Sequence, residues 1–119
     1  MPLARRIVYD PRVESRRGPL RTAIESARAT RDALADALHR AERTISRSAR
    51  GPEIAYRATV AIGALYEVEV SDRSRAELGL AEAHGILTHL LADLERDPGA
   101  APIELIAAVA RAVAVLGSR

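Results

Sequence analysis

GPLRTAIESARATRDALADALHRAERTISRSARGP, from Gly18 to Pro52, is the stretch whose reading decides the fold. A Gly-Pro breaker bounds it at each end, and an apolar seven-residue repeat runs between them. Leu20, Ile24, Ala27, Leu34, Leu38, Ala41 and Ile45 step by four and three, with Arg31 in the one odd position. That spacing places them on a single stripe of an α-helix, the seam along which helices pack side by side. A helix over 19–50 would be about 45–50 Å long at 1.5 Å per residue, longer than a small domain is wide. Ala23 and Ala37 widen the stripe on one flank, which fits a bundle better than a bare two-stranded coil.

The chain after this stretch reads as three more helices, over 53–70, 74–96 and 102–116. In the first of them Ile54, Ala58, Ala61, Leu65 and Val68 make one stripe, and Ala55, Ile62 and Tyr66 make another. Two apolar faces predict burial between neighbours. Tyr66 to Val70 also alternates with period two, as a strand would, but no second strand exists to pair with it, and helix is the expectation. Ser74-Arg75-Ala76-Glu77 reads as a capping box opening the next helix. There Ala76, Leu80, Ala83, Leu87, Leu90 and Leu94 form the core stripe, and close helix contact accounts for Gly79, Ala83 and Gly63. Asp97-Pro98-Gly99 ends that run, and Gly117 sits where a cap would close the last helix. The expected fold is all-α, a four-helix bundle-like domain over 18–119 with one long N-terminal helix and a basic arm over 1–17.

Composition narrows the chemistry. The 119 residues contain no Cys, Phe or Trp, so thiolate chemistry and disulfides are excluded and the core must be Ala, Leu, Ile and Val. All eighteen cations are Arg, as a GC-rich bacterial coding sequence would give. Residues 1–50 hold twelve Arg against six acids and the remainder six Arg against ten. Such asymmetry lets the two halves attract one another, or makes the front of the chain an anion-binding surface. Arg5, Arg6, Arg12, Arg16, Arg17 and Arg21 are the candidate anion or nucleic-acid contacts. The apolar stretch Ile103 to Leu116 is interrupted by Glu104 and Arg111 and is too short to span a bilayer. No targeting or membrane segment is read, and a cytoplasmic location is the expectation.

Arg31 is the most anomalous residue, because an isolated cation in a buried seam is costly. Its structural reading is an ion pair with Glu67 or Glu69; its functional reading is an anion-binding Arg in a bundle cavity. In architecture alone the chain resembles chorismate-mutase-like helical dimers, which use Arg from a long first helix in that way; no catalytic motif matches. Glu82, His89 and Asp93 share a face of the third helix, but the Glu-x-x-His pairing of di-iron bundles is absent, so neither metal nor cofactor is expected. His39 is expected on the polar side of the first helix. The segment AEAHGIL (Ala81–Leu87) resembles a stretch of the RNA-binding ANTAR regulators over seven residues, too few to place the chain in that family.

The three later helices, about 18, 22 and 15 residues long, are some 22–33 Å each and cannot flank the whole first helix. No Pro or Gly lies between residues 20 and 50 to kink it. A homodimer or higher oligomer follows as the expectation, antiparallel across a two-fold along Leu20, Ile24, Ala27, Arg31, Leu34, Leu38, Ala41 and Ile45. The expected function is a non-enzymatic scaffold or adaptor acting by self-assembly or by binding a protein partner. A nucleic-acid-binding regulator using the Arg-rich arm comes second, and a helical-dimer enzyme acting on an anionic small molecule around Arg31 third.

Overall fold

The structure, a computed structural model, describes the backbone of residues 11–70 and 72–118 and the side chains of residues 21–69 and 72–118. Four α-helices follow one another: α1 (Pro11–Ile45), α2 (Gly51–Val70), α3 (Arg73–Arg96) and α4 (Ile103–Gly117). A single 3₁₀ turn, Pro98–Ala100, lies before α4, and no strand occurs among the described residues. Residues 66–70 are therefore helical, as the lack of a pairing strand requires.

Short connections reverse the chain at each step, and each helix packs mainly on two neighbours. α1 lies against α2 and α4, and α3 lies against the same two from the other side. The arrangement is an up-down bundle in which diagonal helices scarcely meet. The core is what the periodicity reads. Ala76, Leu80, Ala83, Leu87, Leu90 and Leu94 of α3 are all buried, as are Ile54, Ala58, Ala61, Leu65 and Val68 of α2. α4 contributes Leu105, Val109, Ala112 and Leu116, spaced four, three and four. The second apolar stripe of α2 is not enclosed: Ala55 and Ile62 are half-buried and Tyr66 is exposed.

Several boundaries differ from the sequence reading. α1 opens at Pro11 rather than Pro19, so residues 11–17 belong to a helix and not to an irregular arm. Pro11 suits a first helical position, where its missing N–H costs nothing, and the ladder continues past Gly18-Pro19. α1 also ends at Ile45 instead of residue 50, because the serines that follow turn the chain. The Ser46 hydroxyl donates to the Arg43 carbonyl at 2.9 Å, and the Arg50 N–H donates to the Ser48 hydroxyl at 3.2 Å. These local bonds compete with continued helix.

α3 is capped by Asp72, whose carboxylate accepts from the Arg75 N–H at 2.9 Å, and not by Ser74. Gly117 ends α4 without a left-handed conformation, since no described glycine has positive φ. Close approach does explain Gly79, where a Cβ would lie 3.0 Å from Val68 Cγ2 and 3.3 Å from the Ala64 carbonyl oxygen. It does not explain Gly63, which is exposed with open space around it.

Gly51 is the glycine the reversal requires. It is buried, and any Cβ there would collide with the Ile45 carbonyl at the other side of the turn. Gly51→Ala should therefore destabilise the chain by about 2–4 kcal/mol through forced backbone movement. Gly63→Ala and Gly85→Ala, which meet nothing within 4 Å, should each stabilise by about 0.5–1 kcal/mol through helix propensity. Thermal melts of the three variants should move in these opposite directions.

Candidate functional site

Two features of the bundle carry chemistry, an ion cluster between α1 and α2 and a groove between α1 and α4. The cluster centres on Glu69 near the end of α2. Its Oε1 lies 2.7 Å from Arg28 Nε and 2.9 Å from an Arg31 guanidinium nitrogen. Arg31 also reaches Asp32 at 3.0 Å, and its guanidinium stacks over the Tyr66 ring 4.3 Å from the centroid. Only 9% of Arg31 is exposed. The seam position that calls for an apolar residue thus holds a cation with one planar face on an aromatic ring and its nitrogens on two carboxylates.

Burial works against the charged form of Arg31, but hydrogen bonds to Asp32 and Glu69 outweigh it and leave its pKa raised. On the other side of the pair, the hydrogen bond from Arg28 holds the Glu69 carboxyl below its ordinary value despite partial burial, with Arg31 adding to the effect.

A second cluster joins α2 to α3. Asp93 accepts from Arg57 at 2.6 Å and pairs with Arg96, and both hydrogen bonds, Arg57's first, lower its pKa against a smaller effect of burial. Arg50, between α1 and α2, bridges Glu53 at 3.2 Å and Asp97 at 3.3 Å. Asp93 is thus held by two guanidiniums. No group of His, Asp and Glu suited to a metal ion occurs among the described residues. His39 is exposed, with Nδ1 3.6 Å from Glu42.

The groove has a volume of about 960 Å³ and runs along α1 from Ser26 to Thr44 and along α4 from Glu104 to Val115. Ala is the commonest residue of its walls, with Thr30 and Ala41 of α1 and Ala112 of α4 as the buried members. Charges mark its rims: Asp36 and Arg40, which pair with each other, on α1, and Glu104 and Arg111 on α4. Neither Glu104 nor Arg111 forms an ion pair with a described residue.

The expected oligomer seam is used largely within the chain. Ala27, Leu34, Ala41 and Ile45 are buried in its own core, Ile24 and Leu38 are half-buried against that core, and Arg31 turns to Glu69. The side chain of Leu20 lies outside the described residues. So do Arg5 and Arg6 and the side chains of Arg12, Arg16 and Arg17; Arg21 is exposed.

What the seam overshadowed is a second repeat on the same helix. Ser26, Thr30, Ala33, Ala37, Arg40 and Thr44 also step by four and three, and all six line the groove. Five of them are small and the sixth is Arg40, so they give a weak hydrophobic signal beside the Leu and Ile stripe. Comparison with family models, curated proteins and solved structures finds no match to the chain.

The ion clusters set an acid limit on stability. The carboxyls of Glu69 and Asp93 have folded-state pKa values below their ordinary ones. Their contribution is thus complete above the unfolded values, about 4, and is lost as pH falls through that range toward the folded values. Melting midpoints should hold from pH 8 to about 5 and fall below about pH 4.5 as these carboxylates protonate. A Glu69→Gln, Asp93→Asn double variant should melt lower at neutral pH and show a shallower acid slope in circular-dichroism melts.

Proposed function

We propose that this chain is a small non-enzymatic helical-bundle protein that works by assembling with copies of itself or by binding a protein partner, as a scaffold or adaptor does. The observation that carries the proposal is the Ala-lined groove between α1 and α4. Small side chains let helix backbones approach closely, and a trough several helical turns long suits a helix better than a compact metabolite. Helix lengths support the same reading: α1 spans 35 residues, whereas α2 and α4 beside it span 20 and 15. An α1 of that length has more flank than its neighbours can line.

The nucleic-acid reading keeps one support, the excess of Arg in residues 1–50, to which exposed Arg21 belongs. It requires a salt-dependent retardation of duplex DNA or RNA that is lost when residues 1–17 are deleted. The enzyme reading has the least support, because the Arg31 guanidinium is taken up by Glu69, Asp32 and Tyr66 and does not line the groove.

Light scattering and sedimentation equilibrium on the full chain at micromolar concentrations test the proposal. The expected mass is a multiple of the 12.8 kDa monomer, with dissociation on dilution. A monomer throughout that range would remove self-assembly as the function.

A further inference from the structure

The groove has a composition that specifies its occupant more closely than a generic helix. Its α1 wall contains the repeat of Ser26, Thr30, Ala33, Ala37, Arg40 and Thr44, with Asp36 between them. A stripe of small residues is not a binding surface by that fact alone, but Thr30 adds a separate observation. It is only 7% exposed, it lines the groove, and its hydroxyl makes no hydrogen bond to a described residue. No fully buried side-chain oxygen among the described residues lacks a partner, so this hydroxyl meets water in the groove, and whatever fills the groove has to replace that water.

We infer that α1 of a second copy of this chain lies antiparallel along this groove, across a two-fold axis near Ala35, so that Thr30 of each copy meets Arg40 of the other. The inference rests on the self-assembly reading and assigns it a surface and a register.

The repeat itself fixes the direction. Its six positions alternate between two heptad roles, as in any four-three pattern. Turned end over end about position 35, Ser26 faces Thr44, Thr30 faces Arg40 and Ala33 faces Ala37, so each role meets the other. A parallel pairing would instead set Arg40 against Arg40, two like charges in one contact, which is unfavourable. The antiparallel register moves each Arg40 to Thr30 of the second copy, about 15 Å along the helix from its own twin. A guanidinium has five donors, and Arg40 has only Asp36 as an ion-pair partner among the described residues. One remaining N–H satisfies the Thr30 hydroxyl.

The α4 wall carries charge as well. Glu104 and Arg111 stand two helical turns apart on the groove rim without an ion-pair partner among the described residues. Both remain open to charges on the second copy. Ala33 and Ala37 present only methyl groups at the centre of the repeat, so the two α1 helices touch most closely there.

The chain has no Cys, so single cysteines report the register directly. A mixture of Ala33→Cys and Ala37→Cys chains, mildly oxidised, should form the mixed disulfide at least about ten-fold faster than either variant forms its own. Like positions are separated by about 6 Å along the helix in this register, and the bridge tolerates little stretch. Ala33→Arg, at an exposed position that leaves the fold intact by circular dichroism, should weaken dimerisation about 100-fold by placing an unpaired charge in the contact. Disulfide formation no faster in the mixture, or an Ala33→Arg chain that dimerises as the parent does, would overturn the groove as the interface while the parent's association still stood. A monomeric parent would overturn both.

Discussion

The bundle depends on how closely helices can approach when no described core residue is aromatic. With Phe and Trp absent, the interior is filled by Leu set against Ala, and Ala fills space only where backbones come near. Gly79 marks one such place, with Val68 and the Ala64 carbonyl filling the volume its Cβ would take. Gly51 applies the same constraint at the end of the helix pair, where the turn after Ile45 leaves no room for a side chain. A core of this kind stabilises by many small contacts, so its helices need additional ties.

The ion clusters are those ties. Glu69 joins α2 to two arginines of α1, and Asp93 joins α3 to Arg57 of α2. Each is partly shielded and each carboxylate meets two guanidiniums, the geometry in which such pairs hold best. Arg31, which looks like an error in an apolar repeat, is the centre of the first tie. Its aliphatic stem lies at a seam position while its head reaches Glu69 and the Tyr66 face. The anomaly in the pattern and the contact in the structure are one fact seen at two levels.

How much of this was legible follows from what each feature requires. The stripes of α3 and of α2 through Val68 could be read residue by residue, because a buried face repeats every three or four positions whatever packs on it. The helix over 66–70 could be inferred from the absence of a partner strand. The cap of α3 was misassigned because Asp72 and Ser74 are both good capping residues two positions apart, and only backbone geometry separates them. The starts and stops of α1 depend on proline and serine side chains whose effects are local and close in energy. The groove was hidden for a different reason: its walls come from α1 and α4, distant in sequence, and its α1 repeat is built of small residues and one Arg, which raise no hydropathy signal.

One property of the ties reaches beyond folding. Every cation in them, and in all 119 residues, is a guanidinium. Chemistry directed at the lysine ε-amine, including acetylation and ubiquitin transfer, therefore has no side chain to act on here. The contacts that join α1, α2 and α3 are beyond the reach of those modifications, and any cellular control over them has to act through the carboxylates, through arginine itself, or through occupancy of the surface between α1 and α4.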